Sequence, residues 1–170
     1  KMKMATPTLL PSESLKTGTP ERRGLLLDFN MTPTPGESPS MMQLNKMTSL
    51  FEAIRRVETG GHSDPTNAVG DGGKSHGPYQ ISLSYWLDAV EHDSNLGGSY
   101  ADVRDDTYAR KVMTAYWDRY APDNDFETLA RIHNGGPHGY KKLGATQRYW
   151  EKVNAALEAI ELRRDRESAG

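Results

Sequence analysis

Proline divides this chain into two unlike parts. Six of its ten prolines, Pro7, Pro11, Pro20, Pro33, Pro35 and Pro39, fall within residues 1–47. Inside a helix each would remove a backbone donor and collide with the preceding turn. The same stretch holds six of the seven methionines, with many Ser and Thr and no sustained apolar period. Such a segment buries too little apolar area to order itself alone. Residues 1–47 are therefore expected to be an extended tail or an arm for a protein partner, with Leu25, Leu26, Leu27 and Phe29 as anchors. Asn30-Met31-Thr32 matches a glycosylation sequon, but with no secretion signal beside it the match is read as chance.

From residue 48 the pattern becomes helical. Ser49-Leu50-Phe51-Glu52 has the form of a capping box, and Leu50, Phe51, Ile54 and Val57 recur at helical spacing before Gly60-Gly61 stops the helix. Residues 62–78 are dense in Gly, Asp, Ser and Pro and read as turns. Short extended pieces near Ala68-Val69 and Tyr79-Gln80-Ile81 suggest a small hairpin. A helix carrying Trp86, Ala89 and Val90 follows, capped by Ser82 or Ser84. Another, capped by Asp102, presents Tyr108, Val112, Met113, Tyr116, Trp117 and Tyr120 and ends at Pro122. Asp125 opens a helix with Phe126, Leu129 and Ile132, closed by Gly135-Gly136-Pro137. The last helix, from about Ala145, carries Tyr149, Trp150, Val153, Leu157 and Ile160. The expectation is a mostly α, α+β domain over 48–162, with about five helices and a small hairpin. A charged C-terminal tail is expected over 163–170.

Composition narrows the class. The net charge of −2 is uneven: residues 1–47 carry six Lys/Arg against four Asp/Glu, and residues 48–170 carry fifteen against nineteen. No basic face stands out before Arg163, Arg164 and Arg166, so a nucleic-acid partner is not expected. No apolar run is long enough to span a bilayer. Residues 1–11 lack the apolar core of a secretory signal, and the chain has no cysteine. Together these lead to the expectation of an intracellular or organellar compartment.

Candidate chemistry gathers around carboxylates. Glu58 stands at the C-terminal end of the first helix, where the helix dipole disfavours negative charge. Desolvation by nearby aromatics would act in the same direction, toward the protonated acid that glycosidic cleavage requires. Read without any family, the same residue is also an ordinary solvated Glu at a helix end. Asp71 in Gly70-Asp71-Gly72-Gly73 is a second carboxylate, on a loop whose glycines permit positive φ, and Asp64 competes for that role. Asp71 could equally stabilise its own turn. His133 and Asn134, before two glycines, could hydrogen-bond sugar hydroxyls or simply close a helix. His62, His76, His133 and His138 match no standard zinc spacing, so neither a metal nor a cofactor is expected.

The order of several blocks then adds a resemblance. Val57-Glu58-Thr59-Gly60-Gly61, Gly70-Asp71-Gly72-Gly73-Lys74, Gly77-Pro78-Tyr79-Gln80-Ile81 and Tyr85-Trp86 resemble the invertebrate-type (destabilase-like) lysozymes and their cysteine-free microbial relatives. The similarity continues through Ala115-Tyr116-Trp117-Asp118-Arg119-Tyr120, the stretch Ala130 to Pro137, and Tyr149-Trp150. It implies a lysozyme-like fold and hydrolysis of the β-1,4 bond between N-acetylmuramic acid and N-acetylglucosamine. Glu58 takes the family's general-acid position. Asp71 lies where the second carboxylate is expected, about one residue closer to the Gly-x-x-Gln-Ile block than in cysteine-rich members. Tyr79, Gln80, His133 and Asn134 match positions lining the cleft.

Two functions follow from this reading. One is a muramidase-like glycosidase acting on an amino-sugar polysaccharide. The other is a catalytically silent lysozyme-like subunit serving as a structural or binding component of a larger assembly through its N-terminal arm, since a fold does not fix an activity. Some destabilase-type relatives are credited with isopeptidase activity through Ser and His, but no Ser is placed by the sequence beside His133 or His76.

Overall fold

The computed structural model describes residues 38–121 and 125–170. Among them are five α-helices: α1 (Pro39–Thr59), α2 (Leu83–His92), α3 (Asp106–Tyr120), α4 (Phe126–Gly135) and α5 (Leu143–Ser168). Three two-residue strands, β1 (Val69–Gly70), β2 (Ser75–His76) and β3 (Ile81–Ser82), form one antiparallel sheet in sequential order. Val69 pairs with His76, and Ser75 with Ser82. This is the expected mostly α, α+β arrangement, with a three-stranded sheet where two extended pieces were expected. The middle strand, Ser-His, has no apolar signature and was hidden in a turn-rich stretch. The expected anchors Leu25, Leu26, Leu27 and Phe29, and Pro122 as a helix stop, lie outside the described residues.

Helix ends follow local chemistry. α1 starts well before residue 48, because Ser38 accepts a hydrogen bond from the Met41 N–H and Pro39 occupies the first turn. There a proline costs nothing, since its missing N–H has no helical partner anyway. Pro39, expected to interrupt helices, begins one, and Ser49, expected to cap, is buried inside it. Asp102 lies within a 3₁₀ turn over Tyr100–Arg104, where it accepts from the N–H of the N-cap residue Ser99, and does not cap α3, whose cap is Asp105. Asp125 caps α4 and Ser82 caps α2, both as expected. At the other end, α5 runs through residues 163–168, where a tail was expected.

The core joins all five helices. Leu50, Ala53 and Ile54 of α1 are completely buried, as are Val112 and Met113 of α3, Ala130 and Ile132 of α4, and Val153 and Ile160 of α5. Each fully buried Leu, Ile or Val contributes roughly 1.5–3 kcal/mol. α5 packs against both α1 and α4, so it links the two helices that carry the site. The Trp117 indole N–H donates to the Leu129 carbonyl at 3.1 Å and fixes α3 on α4. Buried Arg131 on α4 donates to Glu127, the Leu143 carbonyl, Thr146 and Gln147, which seats the start of α5. Gly139 lets the chain cross this region, because a Cβ there would lie 2.0 Å from the Arg131 carbonyl oxygen. No described helix is long and apolar enough to cross a membrane.

Candidate active site

Glu58 stands in the last turn of α1, which ends because Gly60 adopts the left-handed conformation at φ 59°. That turn opens onto a cleft of about 590 Å³, bounded by Glu58 and Thr59 on one side, His62 to Gly70 on the other, and Gln80. The Glu58 side chain is 18% exposed. Its Oε1 accepts a hydrogen bond from the Tyr149 hydroxyl at 2.6 Å, across 91 residues of sequence. His133 Nε2 lies 3.4 Å from the same oxygen. Both contacts end on Oε1, which leaves Oε2 as the oxygen available to a substrate.

Behind Glu58 lies an aromatic and imidazole shell. The His133 side chain is only 3% exposed; Nε2 stands 3.1 Å from the Tyr79 carbonyl oxygen, and Nδ1 stands 3.3 Å from the Tyr85 hydroxyl. Facing two acceptors, Nε2 carries the proton, so Nδ1 accepts from the Tyr85 phenol. Tyr85 stacks on Tyr116 with ring centroids 3.6 Å apart. Burial pushes the Tyr85 phenol well above its ordinary pKa, helped by Tyr116 and by the charge of Glu58. Burial does the same to Tyr149, followed by the charge of Glu58 and the hydrogen bond to it. Both phenols are therefore held as neutral donors, because an anion would lose its hydration and face a neighbouring carboxylate.

The hairpin presents the second carboxylate differently. Asp71 sits at the turn between β1 and β2 with φ 51°, exposed to solvent, and its Oδ2 accepts from the Ser75 hydroxyl at 3.2 Å. It does not line the cleft, although the adjacent Gly70 does. Asp64 does line it, but both of its oxygens are in use: Oδ1 accepts from the Thr66 N–H and Oδ2 from the Asn67 amide. Asp64 is thus a turn-building cap, whereas Asp71 keeps Oδ1 unbonded among the described residues.

The remaining expected residues separate into two groups. Gln80 lines the cleft with φ 50°, and its amide nitrogen donates to the Gly77 carbonyl at 2.9 Å. Its amide oxygen lies where a Cβ on Gly70 would sit at 2.2 Å, so a glycine at 70 is what lets the hairpin close on Gln80. Asn134 is exposed in the last turn of α4 and does not line this cleft. Tyr79 corrects the expectation of a cleft-lining side chain. It is 0% exposed, its hydroxyl donates to Asp106 and accepts from Arg110, and only its carbonyl reaches toward the site, at His133. His133 likewise turns inward to Glu58, away from where a sugar would lie. Neither Tyr85, met only in the Tyr85-Trp86 block, nor Tyr149, met on an apolar stripe and in the Tyr149-Trp150 block, was expected at Glu58. The signal was the phenol itself, since a buried tyrosine hydroxyl needs a partner that Phe would not.

Comparison with known proteins bears on the same stretch. Residues 50–156 match the model of the Destabilase family. The chain is 38% identical over 84 residues to a lysozyme of Magallana gigas, covering 47% of this chain and 58% of that protein. It is 35% identical over 95 residues to invertebrate-type lysozyme 6 of Caenorhabditis elegans, covering 48% of this chain and 67% of that one. The chain thus spans a little over half the length of the Magallana relative. The crystal structure of Tapes japonica lysozyme superposes with a TM-score of 0.52 at 31% identity, over 62% of this chain and 85% of that one.

Proposed function

The chain belongs to the Destabilase family, and from that premise we propose that it is a muramidase-like glycoside hydrolase. It cleaves β-1,4 bonds in peptidoglycan or a related amino-sugar polymer, with Glu58 as general acid. The observation that carries this reading is the placement of Glu58: it lines the cleft, Oε1 accepts from Tyr149, and Oε2 has no hydrogen bond among the described residues.

Protonated on Oε2, Glu58 delivers its proton to the glycosidic oxygen as the bond to the anomeric carbon breaks. The electron pair of that bond stays on the leaving oxygen, and the sugar acquires oxocarbenium-like character. Asp71 stabilises or captures that centre from the hairpin. Its exposure and its single hydrogen bond leave it free to reorient, whereas Asp64 is tied at both oxygens. Gln80 orients the sugar within the cleft and Asn134 contributes from the end of α4. His133 and Tyr79 act from behind, on Glu58 and on each other.

The test is release of reducing sugars and clearing of peptidoglycan by the purified chain and by Glu58→Gln. Activity in the parent that disappears in Glu58→Gln supports the reading. Equal activity in the two removes Glu58 as the acid.

A further inference from the structure

We propose that Tyr149, by its hydrogen bond to Oε1 of Glu58, is a positioning residue that reserves Oε2 for proton transfer and stabilises the carboxylate formed by it. This rests on the reading of Glu58 as the acid and adds a residue that the sequence placed on an apolar stripe.

The two neighbours of Oε1 differ in what they do. Tyr149 projects from α5 onto Oε1 at 2.6 Å, and its phenol is held as a neutral donor because burial and the Glu58 charge both oppose its ionisation. His133 Nε2 stands 3.4 Å from Oε1, but its hydrogen bond runs to the Tyr79 carbonyl at 3.1 Å, so the imidazole walls the carboxyl without bonding to it. Its tautomer is set from the far side by the Tyr85 hydroxyl on Nδ1.

This hydrogen bond favours the transition state over the ground state. Before reaction, a carboxylic acid protonated on Oε2 offers Oε1 as a carbonyl-type acceptor, and the bond from Tyr149 is ordinary. As the Oε2–H bond breaks and its proton passes to the glycosidic oxygen, the negative charge left behind spreads onto Oε1. The bond then becomes charge-assisted and strengthens without any movement of the protein. Fixing Oε1 also fixes the carboxyl plane, and so the direction in which Oε2 presents its proton.

Tyr149→Phe tests this, because it keeps the ring and removes only the donor. On solubilised peptidoglycan the variant is expected to lose about 10- to 100-fold in kcat, the range for a hydrogen bond to a charged group, with KM almost unchanged. The alkaline limb of its pH–rate profile, on which the acid loses its proton, is expected to move to higher pH. Equal kcat with an unmoved limb overturns the proposal, and so does a loss carried by KM alone. If Glu58→Gln remains fully active, the acid assignment itself falls; if Glu58→Gln is dead while Tyr149→Phe is unaffected, only the role of Tyr149 falls. A proton NMR measurement on the full chain reads the contact without turnover. The Tyr149 hydroxyl proton should lie downfield, vanish in Tyr149→Phe and shift in Glu58→Gln; a hydroxyl signal indifferent to Glu58→Gln overturns the contact.

Discussion

Glu58 and Asp71 are separated by only a short stretch of sequence, yet they occupy opposite kinds of site. Glu58 ends a helix whose apolar face lies in the core, and it meets a donor from α5 and the His133 imidazole of α4. Asp71 sits at the tip of a hairpin made of two-residue strands, and its one described hydrogen bond comes from Ser75 at the start of β2. The first carboxylate is held by long-range structure and the second by local structure. A glycosidase needs that contrast, since one carboxyl must keep a proton until the leaving oxygen takes it and the other must stay ionised.

The contrast can be broken from the larger effect downward. Glu58→Gln keeps the size and the Tyr149 contact but removes the proton, and about 10³-fold loss of kcat is expected, within the usual range for a general acid. Circular dichroism should show an unchanged fold. The scaffold that holds α4, and with it His133, depends on Arg131. Arg131→Met strips one buried donor group from four acceptors, and thermal or urea unfolding should register a loss of about 3 kcal/mol. On the hairpin side the effects should be smaller and separable. Asp71→Asn is expected to cost about 10²-fold in kcat with stability unchanged. Asp64→Asn should leave kcat nearly intact, because Asn caps as well as Asp. Reversal of those two results would move the second carboxylate to Asp64. Full activity in both would point to a single-carboxylate reaction such as that of a lytic transglycosylase.

The smallest effect lies in the alkaline limb of stability. Tyr149 and Tyr85 have folded pKa values above the ordinary value of 10.0. The unfolded chain therefore releases these protons at lower pH than the folded chain does. Their contribution is fully present below pH 10 and is lost as pH rises from there through the folded values. Unfolding free energy measured across that range should fall more gently in Tyr149→Phe than in the parent. An equally steep fall would mean that Tyr149 is not held as a protonated donor.

Local signals in the sequence were the ones that could be read. Asp125 and Ser82 cap the helices they were expected to cap, and Gly60 stops α1 by adopting positive φ. Other local features were ambiguous. A proline can break a helix or begin one, and Pro39 begins α1 because Ser38 stands before it to cap. A Gly-Pro-Tyr-Gln run resembles a cleft wall, yet only Gln80 faces the cleft while Tyr79 is tied to Asp106 and Arg110. Alternation within a two-residue strand is too short to show which side is inward.

The sequence by itself determined the number of helices, some of their ends, the glycine turns and the position of Glu58 beside a loop, because caps, positive φ and apolar periodicity act over a few residues. Only the tertiary structure decided what Glu58 touches. The Tyr149 hydroxyl and the His133 imidazole reach it from helices far along the chain, the first as a donor to Oε1 and the second within 3.4 Å of it. Packing, which is non-local, sets that arrangement.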